Sequence, residues 1–246
     1  MMGFNAARVR AVIRKEIRDY RRKRSIVAAM IILPVIFLIQ PTVDVFLGSP
    51  TAPNNGYYRL PLLLLLLIPV IMPSTLAAYS IVGEREQGTL EPLLTTPIRK
   101  HEFILGKAAA VMIPTMVLSY TVFGLFFAVV GLFAKPAVSS GVFHQGPVLL
   151  GLVLFTPLLS AWAIVVGLAV SVRASEVRVA QQLGMLASLP PLGVVVLFGI
   201  GVIHPTFTVA VVFAVGLLVI DVRALRVVSR MFDRERLVTG SKAVRS

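Results

Sequence analysis

The chain has 246 residues, of which 57% are hydrophobic, and it carries a formal net charge of +13. A soluble domain of this length needs more polar surface than that, and several apolar runs approach or exceed the ~20 residues that cross a bilayer core. The composition therefore excludes an ordinary soluble domain and predicts a multi-pass membrane protein, while the absence of cysteine excludes disulfides, thiolate metal sites and cysteine catalysis.

The first predicted element is a basic amphipathic helix within residues 1–24. Val9, Val12, Ile13, Ile17 and Tyr20 fall on one helical face, and arginines and lysines cover much of the rest. This pattern is typical of a helix that lies in the membrane interface and is attracted to anionic lipid. Contact with a cytoplasmic partner subunit is the alternative, and the two are compatible.

Six membrane spans follow, at about 26–47, 60–82, 104–133, 148–171, 180–203 and 206–222. The first is interpreted as a retained span because it is long and no small-residue cleavage site follows a short apolar core. The third is too long for a straight crossing, so it tilts or extends beyond the membrane. Pro190-Pro191 is expected to kink or break the fifth. Residues 25–222 thus form a transmembrane domain, followed by a basic cytoplasmic tail, 223–246.

Basic residues mark one side of the membrane. Segments 1–24, 83–107, 172–182 and the tail from 221 hold nine, four, two and seven lysines and arginines, whereas the opposite loops hold only Arg59 and Lys135. Because cytoplasmic loops carry an excess of lysine and arginine, both termini are predicted to be cytoplasmic. This topology explains the net charge better than nucleic-acid binding does, so no nucleic-acid partner is expected.

Signals for an enzyme or a proton-coupled carrier are absent. No span carries an ionisable side chain near its centre, Asp44 lying toward the outer end of the first span, and His101, His144 and His204 occupy three separate loops. Proton-driven machines show acids at mid-membrane, and metal or catalytic sites need clustered ligands. The nucleotide-binding pattern GxxxxGK[ST] is also missing. We therefore expect no catalytic residue, no bound metal and no ATP hydrolysis in this chain.

The polar residues within the spans are uncharged. Hydrogen bonding between helices is their ordinary role, and the functional alternative is that they line a path for a large amphiphilic substrate. The candidates for an interface or a path are Ser74, Tyr79, Ser119, Thr156, Gln181 and Gln182.

The acidic stretch GEREQGTLEPLLTTPIRK, residues 83–100, lies between the second and third spans. Gly88 suits the left-handed position that ends a helix, and Thr89 suits the cap of a new short helix. Leu90, Leu93 and Leu94 then cluster on one side of that helix. The neighbouring carboxylates disfavour an anionic membrane surface, so a groove in a partner protein is the preferred location for this leucine face.

Residues 83–107, GEREQGTLEPLLTTPIRKHEFILGK, resemble the signature region of type-2 ABC-transporter permeases, particularly the sodium- and drug-exporter branch. In that family the run E-x-G-T-L-E-x-L-L-x-[ST]-P-[IV] forms a coupling helix that docks into a groove of a separate ATP-binding subunit. Residues 172–191 are similar to the family's loop and the start of its fifth span. The residues expected to couple to the ATPase are Glu84, Glu86, Gly88, Thr89, Leu90, Glu91, Leu93, Leu94, Thr96 and Pro97.

The resemblance implies an all-α membrane protein with the type-2 ABC exporter fold: six transmembrane helices, an N-terminal interfacial amphipathic helix and a cytoplasmic coupling helix between spans 2 and 3. It implies a non-catalytic permease subunit that pairs with a second permease, as a homodimer or a heterodimer, in the cytoplasmic membrane of a prokaryote.

Two copies of a separate ATPase subunit would bind ATP and Mg²⁺ and drive export of a hydrophobic or amphiphilic compound such as a drug or lipid, or of an ion such as sodium. The alternatives are an ABC permease that passes force or a signal to a partner, as in metal-cofactor maturation, and a stand-alone channel or carrier.

Overall fold

The computed structural model describes residues 5–47, 57–88, 99–203 and 206–231, and every regular element in those ranges is a helix. Six helical stretches are long and apolar enough to cross a membrane, so the chain is a multi-pass all-α membrane protein. The helices are α1 (Ala6–Arg22), α2 (Arg24–Leu47), α3 (Arg59–Leu64), α4 (Leu67–Glu86), α5 (Lys100–Phe133), α6 (Pro136–Phe143), α7 (Gly146–Arg173), α8 (Val177–Gly199) and α9 (Phe207–Met231).

The helices extend some of the predicted spans and add one element. α3 and α4 meet at a turn and together form the second span, and α5 begins at Lys100, before the predicted start at 104. α8 continues through Pro190 and Pro191, so these prolines do not end the helix. The short helix α6, which precedes the fourth span, was not predicted from the sequence.

The second span forms the centre of the bundle. In its most apolar stretch 78% of the residues are buried, against 17% for both α2 and α9. α4 packs on α5, α7 and α8. One cluster of apolar side chains, around Leu66, Phe126 and Leu159, fills the end away from α1, and a second, around Ile81, Ile104 and Leu168, fills the end beside α1. Motion of α4 therefore has to involve its neighbours.

Small residues let α4, α7 and α8 approach closely, as is common between membrane helices. A Cβ atom on Gly167 of α7 would lie 2.7 Å from the Cβ of Ala77, and one on Gly184 of α8 would lie 3.6 Å from the Cα of Gly167. Ser160 and Ser171 of α7 each donate a hydrogen bond to a backbone carbonyl of α4, at 3.0 and 3.1 Å. These hydroxyls bond between helices, which is the ordinary role expected for in-span polar residues.

Candidate functional site at the junction of α1, α4 and α5

The predicted coupling segment lies between α4 and α5. Thr89, Leu90, Glu91, Leu93, Leu94, Thr96 and Pro97 lie outside the described residues, so their roles stay predictions. The structure does describe the two ends from which this segment leaves, 84–88 and 99–102. Gly88 has a φ of +67°, which confirms the left-handed conformation predicted for it at the helix end.

Two lysines and two glutamates form a buried ion cluster at this junction. Lys107 of α5 has no exposed surface, and its Nζ lies 2.9 Å from Glu16 of α1 and 2.8 Å from Glu84 of α4. The same Nζ donates to the backbone carbonyl of Ser80.

Lys15 of α1 contacts the other carboxylate oxygen of Glu84 and lies 3.4 Å from Glu16. Lys15 also lies 3.5 Å from Asp19 and its side chain is 38% exposed, so it forms the outer edge of the cluster. The buried carboxylates of Glu16 and Glu84 lie 2.9 and 2.8 Å from Lys107, and such pairing is the condition for burying charged groups.

The contacts within the cluster keep Glu16 and Lys15 in their charged forms. Burial alone would raise the pKa of Glu16, but Lys107 and Lys15 outweigh burial and the pKa is lowered. Burial alone would lower the pKa of Lys15, but Glu84 and Glu16 outweigh it and the pKa is raised. Burial and the charges of Glu16 and Glu84 raise the pKa of Tyr20 well above its ordinary value. At neutral pH Glu16 and Lys15 are therefore charged, and Tyr20 is a neutral phenol.

The next two residues of α4 fix the turn between α7 and α8. Arg85 donates from its two terminal nitrogens to two backbone carbonyls at the end of α7, at 2.9 and 3.1 Å. The Oε1 atom of Glu86 accepts from the backbone N–H of Val177, the first residue of α8, at 3.1 Å. Residues 84–86 therefore contact α1, α5, α7 and α8 from three consecutive positions.

Glu102 ties the start of α5 to the N-terminal end of α1. Its carboxylate accepts from the backbone N–H of Asn5 at 2.9 Å and from that of Arg99 at 3.2 Å. It also lies 3.6 Å from the guanidinium of Arg8, and it has no exposed surface. The bond to Arg99 satisfies one of the free amide groups at the start of α5. Residues on both sides of the segment 89–98 therefore bond to α1 or to its N-terminal cap.

α1 turns its apolar face mainly toward the protein. Val9, Val12 and Tyr20 are buried, and α1 packs on α5. The approach is close, because a Cβ atom on Gly106 of α5 would lie 2.7 Å from the Cβ of Val12. This face is thus used inside the chain, and the prediction that α1 lies in the membrane interface stays a prediction.

A family model described as "ABC-2 family transporter protein" matches residues 12–178, more than half of the chain. The chain belongs to the ABC-2 transporter family. No curated protein matches it. Because it belongs to this family, the chain is the membrane permease subunit of an ABC transporter, and the family implies a separate ATPase subunit as its partner. The matched range includes the ion cluster, both ends of the predicted coupling segment and the turn between α7 and α8.

In this ABC-2 permease a polar cavity of about 260 Å³ adjoins the ion cluster. Lys15, Glu16 and Glu84 line it together with Tyr79 and Lys23. The Nζ of Lys23 lies 5.9 Å from the centre of the Tyr79 ring, within the range of a cation–π contact. Tyr79, which was predicted to line an interface or a path, thus lies at the junction.

The other predicted path residues of the permease lie on four helices. Ser74 and Thr156 have no exposed surface and donate hydrogen bonds to backbone carbonyls of their own helices. Ser119 is equally buried, and its hydroxyl has no hydrogen-bond partner among the described residues. Gln181 is half-buried and Gln182 is exposed near the start of α8. Their role in a path stays a prediction.

Sequence reasoning missed Lys107, which pairs with Glu84, and Glu16, which pairs with the same lysine. By sequence Lys107 belongs with the cytoplasmic charges of segment 83–107, whereas the structure places it inside α5 with no exposed surface. Glu16 follows Val12 at helical spacing and precedes Tyr20, so it lies on the buried face of α1. An acid on an apolar helix face and a lysine inside an apolar run were the available signals for this pair.

Asp221 corrects the expectation that no span carries an ionisable side chain near its centre. The sixth span was expected to end at 222, which would put this residue at its end, but α9 continues to Met231 and places Asp221 well inside a membrane-spanning helix. The carboxylate is buried, and neither oxygen has a hydrogen-bond partner within the described ranges. An ionisable side chain within a membrane-spanning helix costs folding free energy, so Asp221 is a residue to test by substitution.

Proposed function

We propose that this permease exports its substrate by ATP-driven motion, and that residues 89–98 form a coupling helix that docks on the ATPase subunit. The proposal rests on the contacts made by the residues that flank this segment on both sides. On one side residues 84–86 bond to α1, α5, α7 and α8, and on the other Glu102 bonds to the start of α1.

The contacts at 84–86 suggest how force would pass into the membrane. A push on the coupling helix would act first on the end of α4 and the start of α5. Lys107 joins these two helices to α1 within one buried cluster, so the three would move as a unit. Arg85 and Glu86 would carry the same displacement to the turn between α7 and α8. Such a unit converts closure of an ATPase into rearrangement of the spans.

The remaining assignments follow from this scheme. ATP and Mg²⁺ would bind to the ATPase subunits, two copies of which would serve two permeases in a homodimer or a heterodimer. The complex would lie in the cytoplasmic membrane of a prokaryote, with both termini of this chain in the cytoplasm. We propose a hydrophobic or amphiphilic compound as the exported substrate, because the buried side chains at the centre of the bundle are almost all apolar or uncharged.

Leu90→Asp tests the docking role. A leucine buried in a groove contributes about 1.5–3 kcal/mol, and a carboxylate in its place adds a desolvation cost. We therefore expect the ATPase subunit to be lost when this variant is purified from membranes, and substrate-stimulated export to be lost with it. Membrane insertion should be unchanged, because residue 90 lies outside the apolar spans.

Leu237→Asp is the matched control, since it makes the same chemical change in the predicted cytoplasmic tail. It should retain the ATPase and export at the wild-type level. Normal recovery of the ATPase with Leu90→Asp would overturn the docking role. Export by the permease alone in proteoliposomes, without any ATPase, would overturn the ATP-driven scheme and favour a stand-alone carrier.

A further inference from the structure

A cavity of about 240 Å³ lies at the end of the bundle away from α1, between α3, α7, α8 and α9. Its walls are apolar side chains, among them Leu63, Phe155, Val195 and Phe198. Arg59, the first residue of α3, is the only charged residue among the described residues that line it. An apolar cavity of roughly 150 Å³ already binds benzene, so this one has room for a segment of an acyl chain.

Arg59 lacks an anionic partner within the described part of the chain. Arg59 is half-buried, and it forms no hydrogen bond or ion pair with another described residue. A guanidinium held against an apolar wall binds a phosphate or a carboxylate well, because its planar fork donates two parallel hydrogen bonds. The cavity thus offers one cationic end and one apolar end to a single occupant.

The surroundings of the cavity place it at the membrane surface. Tyr57 and Tyr58 directly precede Arg59 and form an edge-to-face pair with ring centres 5.3 Å apart. Tyrosines are enriched at the level of the lipid headgroups. Phe207 and Leu150 also line the cavity and are 83% and 70% exposed, so the cavity opens toward the side where acyl chains lie. An occupant would therefore enter from the bilayer.

A second copy of the chain would offer Arg59 little charge. The segments that connect the spans at this end of the bundle, 48–58, 134–145 and 200–206, contain no acidic residue, and Asp44 lies near this end within α2. Its carboxylate already accepts a hydrogen bond from Gln40 at 3.0 Å. Phosphate groups of lipids are abundant at the same depth, and charge complementarity therefore favours a lipid.

We propose that this cavity binds one anionic phospholipid of the surrounding bilayer, with its phosphate on Arg59 and one acyl chain along Leu63 and Phe155. The lipid is a bound component of the permease. The proposal holds whether or not the ATPase drives export, so its test is binding to the full-length permease in detergent.

The probe is dioleoyl phosphatidylglycerol with a photoreactive group on one acyl chain, and the reference lipid is neutral phosphatidylcholine with the same chains. Loss of a charge-assisted hydrogen-bonded contact lowers affinity roughly tenfold or more. We expect this loss for Arg59→Gln and a smaller loss for Arg59→Lys. Lys135→Gln is the matched control, because it removes an exposed cation of the same end that does not line the cavity, and it should bind as the wild type does.

Gly151→Leu tests the acyl-chain part of the site. A Cβ atom there would meet the Phe155 ring at 3.6 Å, an ordinary contact, so the larger side chain extends into the cavity without displacing backbone. We expect reduced labelling by phosphatidylglycerol with an unchanged elution volume and Tm. In the wild type the labelled peptide should lie within α7 or α9.

Three results would overturn the proposal. Equal binding of phosphatidylglycerol by Arg59→Gln and Lys135→Gln would show that Arg59 does not recognise the lipid headgroup. Equally tight binding of glycerol phosphate without acyl chains would show a site for a soluble anion. A change in the dimer fraction of Arg59→Gln or Gly151→Leu without a change in lipid binding would show that a second copy fills the cavity.

Discussion

Replacing Lys107 with methionine removes one of the two cations that face Glu16 and Glu84 while keeping much of the side-chain length. The cluster then holds only Lys15 against the buried carboxylates of Glu16 and Glu84. The side chain of Lys15 is 38% exposed and also faces Asp19. Breaking a buried pair from one side costs about 3–5 kcal/mol, because the remaining charge is left without compensation. For a chain of this size the Tm should therefore fall by roughly 6–20 °C.

Thermal unfolding of the purified permease in detergent measures this change, and the fluorescence of its single tryptophan, Trp162, reports it. Lys135→Met is the matched control, since it makes the same substitution at an exposed position away from the cluster, and its effect should stay within about 0.5 kcal/mol. Association with the ATPase should survive Lys107→Met, because residues 89–98 are unchanged, whereas substrate-stimulated ATPase activity should fall.

A second substitution separates charge from packing. Glu84→Gln added to Lys107→Met leaves one cation, Lys15, facing one anion, Glu16, so the double variant should be more stable than Lys107→Met alone. The two changes should be non-additive by about 1 kcal/mol or more, as is usual for residues in one buried network. Equal Tm values for Lys107→Met and Lys135→Met, or strictly additive effects of the two cluster substitutions, would refute the reasoning.

Gly106→Ala would place a Cβ atom 2.7 Å from the Cβ of Val12, so we expect a loss of about 1–3 kcal/mol and easier proteolysis of α1. Gly124→Ala in the same helix meets nothing within 4 Å and should be neutral or stabilising by up to about 1 kcal/mol, and equal effects would contradict the close approach. Because the pKa of Glu16 is lowered in the folded protein, its charged carboxylate stabilises the fold fully at pH values above the ordinary pKa of 4.5. This stabilisation is lost as the pH falls through the lowered pKa. Because the pKa of Lys15 is raised, its charged amine stabilises the fold fully at pH values below the ordinary pKa of 10.5, and this stabilisation is lost at higher pH. The Tm should therefore change little between about pH 5 and 10. In Glu16→Gln the fall of the Tm at acidic pH should be smaller than in the wild type. An equal fall in both proteins would argue against the cluster.

The acidic stretch shows how far local sequence reasoning reaches. Its glycine at position 88 and its resemblance to a family signature were readable, and the family match agrees with that resemblance. The sequence grouped Glu84 with Glu86 because they are neighbours. The structure separates them, since Glu84 points into the ion cluster and Glu86 accepts from the first amide of α8. Alternate residues on a helix project in different directions, so proximity in sequence did not give them a shared role.

The sequence by itself determined the fold class and the number of spans. A bilayer acts on each segment separately, so the length and composition of an apolar run are enough to predict a crossing. Only the tertiary structure decided that Lys107 meets Glu16 and Glu84, and that Asp221 is buried within α9. Glu16 and Lys107 are 91 positions apart, and their contact depends on how three helices pack. That packing follows from close approaches such as Gly106 against Val12, which no local pattern specifies.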